Sequence, residues 1–498
     1  MENQINFKQV PAFSLSKTSG NNQSTQPEVK QYWSSFLQVV RESTMSQDSS
    51  PLPNMQSLSL DGTNNAENDN NLEDPSPSEI TTDTGNTWYE TAARFEDLGL
   101  SEELLKGLYV EMRFDKPSMI QSKTLPMILK PPYKDLVAQS HNGTGKTTCF
   151  VLGMLSRVNV NLKAPQALCI CPTRELAIQN LEVLRKMGKY TDIKSYCAIP
   201  MGSKSPDLPI PKRMPLTDQV VIGTPGTIKK WLSYKKLSVR EIKILVFDEA
   251  DHMLAEDGFK DDSTRIMREI KASSAHCQVL LFSASFNDIV KNFIQREIPD
   301  ANKLYVQREQ LPLDVVKQYK VNCPDELAKI RIIKDKIFDL GEHLGQTVIF
   351  VRSRASASAL HTELEDSGWE CSIIHGAVDN DERDKIVKGF KEGLTKVLIS
   401  TDLLARGFDQ SQVNVVVNYD LPVIHDSPSE PDFEVYLHRC GRAGRFGRKG
   451  AVFNLLCTEK EFMLMRKIER HYGNCMAEIR NWDDNDEFCA ALRAARLL

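Results

Sequence analysis

No run of about 18 consecutive apolar residues occurs in the 498-residue sequence, so nothing in it reads as a membrane-spanning helix. The opening residues MENQINFKQV lack the basic and apolar regions of a secretory leader, and the expected setting is intracellular. Cysteine occurs eleven times but never as a CxxC pair, and its scattered spacing offers no disulfide framework; reduced thiols are expected. Cys169 and Cys171 lie inside the apolar run 167–171, where buried strand residues are a better reading than metal ligands. Lys and Arg are absent from 43–87, a stretch dominated by Asn, Ser, Thr, Asp and Pro. Such a segment cannot bury enough apolar surface to offset its ordering entropy and is expected to be disordered.

Charge is uneven along the chain. Residues 1–87 carry −7 of a formal net charge of −5, which leaves the remainder at +2. A near-neutral remainder permits a local basic groove without demonstrating one, so nucleic-acid binding must rest on motifs. Within the acidic extension, 29–40 (VKQYWSSFLQVV) places Tyr32, Phe36, Val39 and Val40 at helical spacing, a segment able to fold against a partner.

From Trp88 onward short Val/Ile/Leu runs alternate with longer helical patterns. The runs 135–139, 167–171, 219–223, 244–247 and 278–282 read as buried parallel strands, and a second set follows at 346–351, 371–374, 396–400, 414–419 and 450–456. Two tandem doubly wound α/β domains are expected, over 88–307 and 319–498, joined by a linker at 308–318 that contains the polar, proline-containing REQLPLD.

The strand at 135–139 runs into Ser140-His141-Asn142-Gly143-Thr144-Gly145-Lys146-Thr147 and then a helical stretch, the context that a phosphate-binding loop requires. Backbone N–H groups freed by the glycines close around phosphates, Lys146 reaches the outer phosphates, and Thr147 ligates Mg²⁺. A glycine-rich turn with a solvated lysine is the plain alternative, and the strand–loop–helix setting disfavours it. The strand at 244–247 ends in Asp248-Glu249-Ala250-Asp251, which places carboxylates at the crevice where ligands bind. Asp248 then holds Mg²⁺ through water, and Glu249 orients and deprotonates an attacking water. Alone, this tetrapeptide is equally an acidic helix start; paired with the loop it is an ATP site. Downstream, His438-Arg439-Cys440-Gly441-Arg442-Ala443-Gly444-Arg445 puts Arg442 and Arg445 three apart, able to share a helix face and to act as arginine fingers, or else to form a solvated basic helix.

Together these segments resemble the DEAD-box RNA helicases over about 88–480. The resemblance implies two RecA-like domains with ATP and Mg²⁺ as cofactors. It implies an adenine-reading segment at about 93–121 containing Phe95, an aromatic such as Phe114 that stacks on the base, and Gln121 that bonds its edge. Arg113 replaces a usual glycine there. Pro172, Arg174, Gly202, Thr224, Pro225 and Gly226 resemble RNA-backbone motifs of the first domain, with Thr227 where Arg is commoner. Ser283, Ser285, Asp251 and His438 resemble the groups that couple ATP to RNA. In the second domain, Val348-Ile349-Phe350, His375-Gly376 and Arg383 match further motifs. There the resemblance assigns RNA phosphate to Thr401 and Arg352, and the ribose hydroxyls to Asp409.

The loop residues before the glycines, GTPGT at 223–227, DEADHML with DGFKDD after it, and the insertion at 423–431 are similar to the mRNA-export helicases. That implies a monomer acting on single-stranded RNA and its ribonucleoprotein, in cytoplasm and nucleus and at the nuclear pore. Its implied partners are a filament nucleoporin and an activator carrying inositol hexakisphosphate, with no membrane insertion. An N-terminal helix that holds the two domains apart is the further implication. A non-enzymatic ATP-dependent RNA clamp and a DNA helicase remain as rivals.

Overall fold

The computed structural model describes residues 80–85, 89–139, 144–203, 208–255, 257–274, 276–306, 316–338, 345–405, 410, 412–444 and 448–498. The helical segment at 29–40, most of the acidic stretch, loop residues Ser140, His141, Asn142 and Gly143, most of the linker, Asp409 and Arg445 lie outside the described residues.

The first lobe holds β1 (Ile80–Asp83), β2 (Leu136–Gln139), β3 (Ala167–Ile170), β4 (Ser195–Ala198), β5 (Val220–Gly223), β6 (Ile244–Phe247), β7 (Gln278–Ser283) and β8 (Asn302–Val306). Their order across the sheet is β1-β8-β2-β7-β6-β3-β5-β4. All neighbours run parallel except β1, which is antiparallel to β8. Strands β3, β5, β6 and β7 are buried along their whole length, as an unbroken apolar run covered by helices on both faces must be. Separate apolar clusters fill the two faces, one around Phe150 and Phe282, the other around Trp231 and Phe247.

The second lobe contains β9 (Val316–Asn322), β10 (Gln346–Phe350), β11 (Ser372–Ile374), β12 (Val397–Ser400), β13 (Val413–Asn418), a two-stranded ribbon of β14 (Val423–Ile424) and β15 (Ser427–Pro431), β16 (Gly450–Leu456) and β17 (Ala477–Ile479). Its main sheet has the order β11-β12-β10-β13-β16-β9-β17 and is wholly parallel. The chain therefore folds as two tandem RecA-like α/β lobes.

Two strands depart from the sequence reading. β1 lies inside the stretch read as a disordered extension: its backbone completes the edge of β8, a contribution that an unremarkable ITTD does not advertise. β9 begins within the stretch read as linker; its alternation of buried Val316, Gln318 and Tyr319 with exposed Lys317 hides a strand that lies between β16 and β17. The ribbon of β14 and β15 is the insertion noted at 423–431 and packs on the helix Glu459–Tyr472.

Candidate active site

The phosphate loop, the Asp248–Asp251 segment and Ser283–Ser285 each leave a parallel strand of the first sheet at its C-terminal end, where an α/β sheet opens its crevice. The loop after β2 meets the helix Lys146–Arg157 through Gly145, whose φ of +95° is left-handed, and a Cβ there would collide with the Gln121 amide. Gln121 is 4% exposed and accepts from Ser118 N at 3.0 Å while its Nε2 donates to Gly145 O at 3.3 Å. Ser118 Oγ donates to Thr144 O at 2.9 Å. The expected base-reading glutamine thus braces the phosphate loop. Lys146 is buried, Thr147 and Phe114 are half-buried, and Phe95 is fully buried against Tyr109, which leaves Phe114 as the aromatic open to a base. Arg113 sits at φ +58°, the backbone region that explains why glycine is usual there.

After β6, Asp248 and Glu249 are both buried. Asp248 Oδ2 accepts from Asn180 Nδ2 at 2.8 Å and Oδ1 from Glu249 N at 3.1 Å. Burial pushes Asp248 up to about 6, the Glu249 charge adds to this, and Lys146 pulls the other way. Burial also pushes Glu249 upward, yet His438 and Arg442 outweigh it and hold this carboxyl below its ordinary value. Glu249 has a left-handed backbone, φ +50°, an unusual conformation for a residue with a side chain. Two adjacent buried carboxyls are thus pushed in opposite directions by their surroundings, a pattern common at functional sites.

The pull on Glu249 comes from the other lobe. The helix Phe433–Cys440 is capped by Asp432, which accepts from Val435 N at 2.9 Å, and it brings His438 Nε2 to 3.7 Å from Asp251 Oδ2. Arg442 follows, buried, its Nε donating to His438 O at 3.0 Å. Asp251 Oδ2 also accepts from Ser285 N at 3.2 Å, and Asp251 N donates to Ser283 Oγ at 3.2 Å. Ser285 Oγ and Asn287 Nδ2 reach across to Glu434 Oε1 at 2.7 and 2.8 Å. Asp251, Ser283, Ser285 and His438 therefore meet in one network. Glu434 and Asn287 were missed in the sequence, although Glu434 stands four residues before His438, on the same helix face.

On the opposite side of the crevice, two expected RNA contacts meet the second lobe. Arg174 pairs with Asp384 of the second lobe, Nη2 to Oδ2 at 2.7 Å, and its Nε donates to Pro200 O at 3.1 Å. A Cβ on Gly202 would strike the Asp381 carboxylate, so this glycine admits the acidic start of the helix Asn380–Lys391. Arg383 Nη1 lies 3.4 Å from Glu175 Oε1, and Asn380 Nδ2 donates to Met201 O at 3.2 Å. Arg174 and Gly202 thus lie at the contact between the lobes in this structure. Pro172 is buried under the crevice; Thr224 Oγ1 engages Thr227 Oγ1 at 3.2 Å, which turns Thr227 inward; and nothing lies within 4 Å of a Cβ on Gly226. Thr401 is half-buried, and Arg352, its side chain 52% exposed, is steered by Asp420.

Residues 118–293 match the DEAD/DEAH box helicase family model and 328–447 the helicase conserved C-terminal domain model. The chain is 60% identical over 428 residues to DEAD-box ATP-dependent RNA helicase 38 of Oryza sativa subsp. japonica, covering 86% of this chain and 85% of that one. It is similar to S. cerevisiae Dbp5 bound to RNA and ADP BeF3, with a TM-score of 0.75, 39% identity and coverage of 81% of this chain and 100% of that one. A Dbp5 variant from S. cerevisiae bound to Nup159, a Gle1 variant, IP6 and ADP matches with a TM-score of 0.57 at 37% identity, covering 80% of this chain and 100% of that one.

Proposed function

The chain belongs to the DEAD-box ATP-dependent RNA helicases, and we propose that it remodels messenger ribonucleoprotein during export through the nuclear pore. In this reading Lys146 meets the outer phosphates of ATP, Phe114 stacks on the base, and Glu249 takes the proton of the attacking water. Arg442, carried by the second lobe, places its charge opposite the transferring phosphoryl group, so turnover requires the lobes to be closed. The network of Asp251, Ser283, Ser285, Glu434 and His438 reports closure to the catalytic carboxylate. Gly226, Thr401 and Arg352 hold single-stranded RNA by its backbone, which makes binding tolerant of sequence.

Thr147 and Asp248 fit a magnesium ion: both offer hard oxygen donors, and Asp248 is a buried carboxylate that a cation would keep ionised. When bound, the ion neutralises charge on the phosphate oxygens.

The export reading is supported by one observation above others, the likeness to Dbp5 assembled with Nup159, Gle1, IP6 and ADP over 80% of this chain. In this reading the protein works at the pore, in cytoplasm and nucleus, with a filament nucleoporin and an inositol-hexakisphosphate-charged activator as partners. The test is RNA-stimulated ATP turnover of the full-length chain with and without the activator homologue of its own organism, charged with inositol hexakisphosphate. Acceleration is expected; an unchanged rate together with no co-elution would remove the export reading and leave the helicase assignment standing.

A further inference from the structure

The helix Arg174–Met187 turns Leu176, Ala177, Leu181 and Leu184 into the core, and Asn180 is buried among them at 0% exposure. Its Nδ2 donates to Asp248 Oδ2 at 2.8 Å and to Cys171 Sγ at 3.3 Å. Its Oδ1 is buried without a hydrogen-bond partner among the described residues. An acceptor left unsatisfied in a core bears the full cost of its desolvation, so packing alone favours an apolar side chain at this position. The amide's return is therefore to be sought in its donor.

That donor reaches the carboxylate of Asp248 from one side, while Glu249 N holds the other oxygen at 3.1 Å. Each oxygen is gripped once, and the pair of bonds fixes the rotation of the carboxylate about its Cβ–Cγ bond. A cation ligand on a flexible side chain needs such a brace, because outer partners set the direction in which a ligand's remaining lone pairs point. We infer that Asn180 is a positioning residue of the magnesium site, locking Asp248 in its metal-binding orientation from within the helix of the neighbouring motif. This inference rests on the reading of Asp248 as the magnesium ligand. It also ties the metal site mechanically to the helix that starts at Arg174, whose guanidinium bridges to the second lobe.

The experiment measures the affinity of the full-length protein for a fluorescent ADP analogue in EDTA and in saturating magnesium; the ratio is the gain due to the metal. Asn180→Leu, close in size, should bind metal-free nucleotide as the parent does and lose about 10–100-fold of the metal-dependent gain. An unchanged gain overturns the inference. So does a parallel fall of both affinities with the melting temperature, the signature of a merely structural role. Asp248→Asn is the companion variant: if it too retains the gain, the reading of the metal site itself fails, whereas its loss beside an unaffected Asn180→Leu refutes the positioning role alone. Should Asn180→Leu fail to fold, Asn180→Ser, one bond too short to grip Asp248, is read by the same ratio.

Discussion

Removing the Glu434 carboxylate should loosen the closed arrangement of the lobes without touching either nucleotide or RNA directly. Glu434 Oε1 accepts from Ser285 Oγ at 2.7 Å and from Asn287 Nδ2 at 2.8 Å, both across the lobe boundary. Hydrogen bonds to a charged acceptor contribute about 1.5–3 kcal/mol each. Glu434 is half-buried, so the lower end applies, and Glu434→Ala should weaken closure by about 3 kcal/mol. At about 1.4 kcal/mol per factor of ten, that is on the order of 100-fold in the closing equilibrium. If RNA is held across both lobes, as proposed, the RNA concentration giving half-maximal ATPase should rise by about the same factor. Affinity of the first lobe for ADP should not move. Glu434→Gln keeps the acceptor and loses its charge, and should shift the half-maximal RNA concentration by roughly tenfold. A Glu434→Ala protein whose RNA activation stays within about twofold of the parent would show that the crossing carries no closure energy.

Three other perturbations test separate parts of the argument. Glu249→Gln should keep ATP-dependent RNA binding and abolish phosphate release, since an amide positions water but cannot take its proton; loss of RNA binding in a folded variant would refute the assignment. Lys329, fully buried, meets Glu461 at 2.7 Å, and Lys329→Ala should cost about 3–5 kcal/mol in urea unfolding by stranding a buried carboxylate. Although burial pushes Glu461 up, Lys329 holds it below its ordinary value, so the pair's contribution is present at neutral pH and lost as pH falls through the carboxylate range. The gap in stability between parent and Lys329→Ala should therefore shrink on acidification, and a constant gap would contradict the pairing. Arg113→Gly should be neutral or stabilise by up to about 1 kcal/mol, because relief of the left-handed backbone exceeds the added chain entropy of glycine. A clear drop in melting temperature would show that the Arg113 side chain contributes more than its backbone costs.

The sequence by itself determined what is local. Unbroken apolar runs such as Ala167–Ile170 and Ile244–Phe247 must be buried on both faces, and that alone implies parallel sheets under helices. A strand followed by glycines and Lys146, or by Asp248 and Glu249, carries its chemistry within a few residues of chain, so its place at the mouth of the sheet could be read directly. Tertiary structure decided the partners. Arg174 and Asp384 are 210 residues apart, and only lobe packing brings the two side chains together. Asn180 looks like one polar residue in an amphipathic helix until β3 and β6 bring Asp248 beneath it. Gln121 is bound to Gly145, Phe95 is sealed against Tyr109, and the Glu249 carboxyl is pulled below its ordinary value by His438 and Arg442 of the other lobe, none of which any short window encodes. The physical reason is common to all of them. Residue type and spacing fix which bonds a side chain is able to make, but burial and the neighbours delivered from distant strands fix which of those bonds it does make.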